Sequence, residues 1–143
     1  MDVGSPYIIA IFLAWMVGQG TKYLILVIKH RSLNHFRQLY ISGNMPSAHT
    51  ATVISVTTLI GLYEGVGSSL FGLAALISGI VMYDAVMVRR SSGEQGAAIQ
   101  ALIREQHSKV ALPRAAKGHT PIEVLVGAGL GLVIGLVVFL ATK

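Results

Sequence analysis

The chain has no cysteine and little charge. Of its 143 residues, 11 are Lys or Arg and 6 are Asp or Glu, so only 12% are charged. The missing thiol excludes disulfides and leaves the redox compartment open. The scarcity of charge accompanies a 53% share of hydrophobic residues. That balance argues against an ordinary soluble domain, because long apolar runs mark membrane spans. There is no internal repeat and no low-complexity tract. Polar stretches are too short to build a separate domain, so the formal net charge of +5 does not point to nucleic acid. Anionic lipid or an anionic substrate suits it better. The opening "MDVGSP" lacks a basic n-region, so the first apolar run is expected to stay as a span.

Four apolar segments are present, at residues 7–28, 48–63, 70–88 and 122–141. A span takes about 20 residues. The first, third and fourth segments reach that length. The second is short and qualifies only if tilted or buried among the others. Within residues 89–118, Ile99, Leu102, Ile103 and Val110 give a partly amphipathic pattern, which predicts a surface helix. The expected fold is a single all-α domain over residues 1–143. It is an integral membrane bundle of four transmembrane helices plus a short amphipathic surface helix.

Alternation of four spans puts Lys29, His49, Arg89 and His119 at one end of the bundle. The Glu64 turn and both termini go to the other. Lys29, Arg31, Arg37, Arg89, Arg90, Arg104, Lys109, Arg114 and Lys117 all fall in the two links at the first end. Basic residues in short links favour the cytoplasm, so the first end is expected to face inward. Gly127, Gly131 and Gly135 recur every fourth residue, and Glu123 continues their row. Ala10, Ala14 and Gly18 form a similar row that Lys22 continues. Small residues mark helix contacts in membranes, so both charges are predicted to point into the bundle. Asp84 is a third charge near a span end. A charge at membrane depth costs on the order of 3 kcal/mol and is functional by default.

Two helix starts carry a histidine. "SGNMPSAHT" (residues 42–50) opens the second apolar segment, with Asn44 or Ser47 as N-cap and Pro46 as helix starter. "GHTPIEVLVG" (residues 118–127) opens the fourth. There His119 and Glu123 are four apart and share a helical face. Thr120, Pro121 and Glu123 also form a capping box with Pro at N1. The carboxylate can serve both uses. Two imidazoles, a carboxylate and a crowd of cations at helix N-termini are the parts of a phosphoryl-transfer site.

These residues carry a resemblance over nearly the whole chain. It looks like the divergent branch of the type 2 phosphatidic acid phosphatase superfamily, which is related to the vanadium-dependent haloperoxidases. "NMPSAHT" resembles that superfamily's Pro-Ser-Gly-His motif, and "HTPIEVLVG" its His-x-x-x-Asp motif. "EGVGSSLFG" and "VMYDAVMVRRSSGEQ" resemble the divergent branch. The resemblance implies that His119 is the nucleophile, Glu123 orients it, and His49 protonates the leaving alkoxide. It implies a phosphate contact from Ser47; beyond the matched motifs, Lys22, Arg89 and Arg90 are expected to line an anion pocket, with Asp84 positioning an arginine and Gly118 in support. It requires no metal and no other cofactor. Ala48 and Glu123 replace the usual Gly and Asp. Lys22 and Lys29 keep the spacing of a Lys-x6-Arg-Pro motif without its Pro, and Arg114 stands one residue out of register before the nucleophile.

The implied activity is hydrolysis of a lipid phosphomonoester or diphosphate, of the phosphatidic acid or phosphatidylglycerol phosphate class. An isoprenoid diphosphate is the alternative substrate. A non-enzymatic membrane protein that binds anionic lipid or packs as a homo-oligomer is the alternative of a different class.

Overall fold

The computed structural model describes residues 4–31, 45–113, 115 and 118–143. Every regular element among them is helical: α1 (Pro6–His30), α2 (Ala48–Tyr63), α3 (Ser69–Tyr83), a π turn (Asp84–Val88), α4 (Arg89–Glu105) and α5 (Pro121–Thr142). Arg37, Asn44, Arg114 and Lys117 lie outside the described residues.

Local chemistry sets the helix starts. Pro6 and Pro121 occupy the first turns of α1 and α5, where a missing N–H costs nothing. Ser47 caps α2 by accepting from the Thr50 N–H at 3.4 Å. Pro46 therefore precedes the cap and is not the first helical residue. Ser68 caps α3 by accepting from the Phe71 N–H at 3.1 Å. Gly65, at φ +87°, turns the chain between α2 and α3.

Three helices are long and apolar enough to cross a membrane: Pro6–Lys29, Ser69–Glu105 and Pro121–Thr142. The fourth apolar helix, α2, has only 16 residues. Its place in the bundle accounts for this. α2 is the centre, packed against α5, α1 and α3, and α1 also touches α5. Ala10, Ala14, Ala51, Leu59, Ile134 and Val138 are buried there together. Outward side chains are large and apolar, such as Phe12 and Trp15 on α1, Leu76 and Ile80 on α3, and Leu132 and Val137 on α5. A helix apolar all round belongs in lipid or a deep core, and here the outer faces have lipid as their solvent.

The glycine row is the main contact face. A β-carbon on Gly127 would stand 2.6 Å from the Ser47 carbonyl oxygen, and one on Gly135 2.8 Å from that of Ser55. One on Gly131 would strike the Ala51 carbonyl. α5 thus lies backbone to backbone on α2, as small residues permit.

The third apolar segment departs from expectation. It does not end at Val88 and give way to a separate surface helix. α3 runs through the π turn into α4, and Ser69–Glu105 is one helical stretch of 37 residues. No proline interrupts it before Pro113, and the glycines at 93 and 96 are tolerated in a helix at modest cost. Ile99, Leu102 and Ile103 lie on α4, whereas Val110 falls beyond its end.

The two ends of the bundle differ in character. At one, Tyr63 meets Tyr7 and Phe139 edge-on at 6.1 and 4.9 Å between ring centroids, and its hydroxyl pairs with Thr142 at 2.8 Å. At the other, Gly18 abuts Ala48, and the Ser47 N–H donates to the Glu123 carbonyl at 3.2 Å. Lys22, His49, Arg89, His119 and Glu123 gather at this second end.

Candidate active site

His119 sits just before α5 and is 4% exposed. Its Nδ1 lies 2.9 Å from Glu123 Oε2. The same carboxylate oxygen accepts from the Thr120 N–H at 3.2 Å, while Thr120 Oγ1 accepts from the Glu123 N–H at 3.3 Å. The capping box and the histidine contact therefore share one side chain. A carboxylate on Nδ1 fixes that nitrogen as the N–H and leaves the Nε2 lone pair free. Burial pushes the His119 imidazole below its ordinary value, and the hydrogen bond and charge of Glu123 oppose that shift. Lys22 and Arg89 reinforce the lowering through their positive charge. The net effect keeps the ring neutral near neutral pH.

A tertiary contact holds the His119 backbone. Its N–H donates to the Ala85 carbonyl at 3.0 Å, inside the π turn. A widened turn shifts the helical hydrogen-bond register by one residue, so a carbonyl at the junction can turn to an outside donor. Single π turns recur at functional sites. The neighbouring Gly118 is forced by the same approach, since a β-carbon there would stand 2.6 Å from the Arg90 backbone.

The other predicted residues fall into two groups. Lys22 is 4% exposed, on one buried row with Ala10, Ala14 and Gly18. It lies within electrostatic reach of Glu123 and makes no ion pair among the described residues. His49 opens α2 with its ring accessible, within electrostatic reach of Arg89, Lys22, His119 and Asp84. Arg89 donates from Nε to Asp84 Oδ2 at 2.6 Å, a charge-assisted contact. Arg90 goes elsewhere. Its Nε pairs with Glu94 at 3.2 Å on an exposed face. It joins Gly118 and His119 only in lining an outer cleft.

Ser47 is fully buried. Its Oγ accepts from both the N–H and the hydroxyl of Thr50, the latter at 2.9 Å. The Ser47 hydroxyl hydrogen has no acceptor among the described residues. Thr50 lies three residues after the capping serine, a spacing that is readable in the sequence as a second signal at this helix start. The π turn had none.

Among the described residues no group of three or more His, Cys, Asp or Glu is placed to hold a metal ion. The Asp84 and Glu123 carboxylates are instead committed to Arg89 and to His119.

These features define a class: a membrane helix bundle with a histidine–carboxylate pair among cations at one end. The chain belongs to the Divergent PAP2 family, which matches residues 3–134. It is also similar to the uncharacterized membrane protein YuiD of Bacillus subtilis (strain 168), at 37% identity over 111 residues, 67% of this chain and 70% of that one. No solved structure matches it.

Proposed function

We propose that this protein hydrolyses a phosphomonoester or diphosphate on a membrane lipid, of the phosphatidic acid or phosphatidylglycerol phosphate class, through a phosphohistidine intermediate. The observation that carries the reading is the buried His119 imidazole with Nδ1 held 2.9 Å from Glu123.

The chemistry follows from the parts. His119 Nε2 attacks phosphorus, and its bond to the lipid oxygen breaks. Positive charge develops on the imidazole, and Glu123 stabilises it through Nδ1–H. His49, holding a proton when the negative phosphate lies beside it, gives that proton to the departing oxygen, an alkoxide from a monoester or a phosphate oxygen from a diphosphate. It then takes one from the water whose attack breaks the P–N bond and frees phosphate. Lys22 and the Asp84-held Arg89 offset the phosphate charge. The N-terminus of α2 offers N–H donors to its oxygens, while the fully buried Ser47 supports that helix start as its cap rather than by touching phosphate. Arg90 has the weaker claim, because its side chain pairs with Glu94.

On this reading the chain is one domain with four spans, α2 crossing as the short central helix. The histidine end meets the inner leaflet. The test is phosphate release by purified protein from a panel of lipid phosphates and an isoprenoid diphosphate. Release by the unaltered protein that His119→Ala abolishes, with the fold retained by circular dichroism, is the expected result. Release that survives His119→Ala would sink the mechanism. No release from any substrate, beside tight retention of anionic lipid, would favour a binding protein.

A further inference from the structure

α1 and α3 both lean on α2 and leave a groove between them. It encloses about 290 Å³ and is lined by Ile11 of α1, Val53, Val56 and Ile60 of α2, and Leu73 and Ile77 of α3, among others. Hydroxyls at its floor are already satisfied within the protein. Thr52 donates to the Ala48 carbonyl at 2.9 Å, and Thr57 donates to the Val53 carbonyl at 2.9 Å and lies 2.9 Å from Ser78 Oγ. The groove therefore presents methyl groups to whatever fills it.

We infer that this groove seats one hydrocarbon chain of the lipid whose phosphate meets His49 and His119; the inference rests on the proposed function. Position is the first argument. His49, Thr52, Val53, Val56 and Ile60 follow helical spacing, so the floor continues the α2 face that carries His49. Depth is the second. From His49 to Ile60 the rise is ~16 Å, close to half of a hydrocarbon core of ~30 Å. A lipid with its phosphate at His49 thus reaches Ile60 with the end of its chain. Volume is the third. The groove lies at the lower limit of ligand clefts, about 300 Å³, which suits one chain and leaves a second chain in the surrounding lipid.

The test uses the purified protein in phosphatidylcholine nanodiscs. The probe is phosphatidic acid with a diazirine near the end of one acyl chain. Adducts are expected at Val56, Ile60 and Leu73. Excess unlabelled phosphatidic acid should remove them, and excess phosphatidylcholine should not. Ala74→Phe, which fills the groove, and Leu73→Trp, at its rim, should each cut the adducts and raise KM for long-chain substrate about tenfold, a change of 1.4 kcal/mol. Both should leave turnover of chainless glycerol 3-phosphate unchanged. Adducts spread over outward residues such as Phe12 and Leu132 would overturn the inference. So would a disulfide between copies carrying Leu73→Cys that blocks labelling, since a second copy would then own the groove. Labelling as expected without phosphate release would sink the phosphatase reading and keep the groove. Release with long-chain kinetics untouched by Ala74→Phe and Leu73→Trp would sink the groove alone.

Discussion

Glu123 has two tasks at one carboxylate, and substitution separates them. Glu123→Gln keeps an acceptor for the Thr120 N–H but removes the charge. The helix start should survive, with a loss of about 1 kcal/mol at most. Turnover should fall steeply, because the imidazolium of the transition state loses its counter-charge. The pH profile gives a second readout. Glu123 raises the affinity of His119 for its proton and burial lowers it, with burial the larger effect. The acid limb assigned to His119 should therefore lie below its ordinary value of 6.5. In Glu123→Gln it should move to still lower pH, because a raising influence is gone. An acid limb that moves up would contradict the assignment. Stability carries the same sign. The unfolded chain binds a proton at 6.5 that the buried ring refuses, so stability should rise with pH up to about 6.5 and then level off. Thermal unfolding in detergent across that window measures it.

At the scale of helices, the α2–α5 contact is the element most exposed to a single change. Gly131→Leu forces a side chain into the Ala51 carbonyl. Overpacking of this kind costs about 1–3 kcal/mol, and here it would also part Ser47 from Glu123. Melting temperature and phosphate release should fall together, whereas Gly129→Leu, on an open face, should leave both alone. This contact was legible in the sequence, because a four-residue glycine period is a local rule. So were the caps at Ser47 and Thr120 and the buried row ending in Lys22. The uninterrupted Ser69–Glu105 helix was not. Its π turn answers a hydrogen bond from His119, 34 positions beyond Ala85, and no short-range pattern encodes that partner. The divergence of Arg89 from Arg90 was hidden for the same reason. Adjacent residues point ~100° apart on a helix, and which one faces Asp84 depends on where the turn widens. Deleting Val86 should close the π turn to a regular one with Arg89 still facing Asp84, withdraw the Ala85 carbonyl from the His119 N–H and weaken binding of phosphate or vanadate, measured by calorimetry, with the helix content unchanged.

The molecule as a whole has an end rich in cations and histidines and an end rich in aromatics, where Glu64 and Lys143 also lie. Lys22, His49, Arg89 and His119 gather at the first, and Tyr7, Tyr63 and Phe139 at the second. The bias of Lys and Arg toward the first end extends to Arg31, Arg104 and Lys109, which lie outside the motifs. Positive links stay cytoplasmic. Cysteine introduced at Ser69 should react with an impermeant thiol reagent in intact cells, and cysteine at Ser108 should not. The reverse pattern would turn the molecule over and leave the chemistry as proposed.

The brevity of α2 has a mechanical side. Sixteen residues rise ~24 Å, and the lipid around them is ~30 Å thick in its hydrocarbon region. On the proposed four-span reading α2 falls short of that thickness, which would set His49, at its start, below the level of the surrounding headgroups. A bilayer drawn inward at that spot would bring headgroups down to the ring, at a cost of fractions of a kcal/mol per Å. Membrane thickness then becomes a control on turnover. In vesicles of graded acyl length, thin bilayers should present substrate readily, and thick ones should starve the site without touching a residue of it.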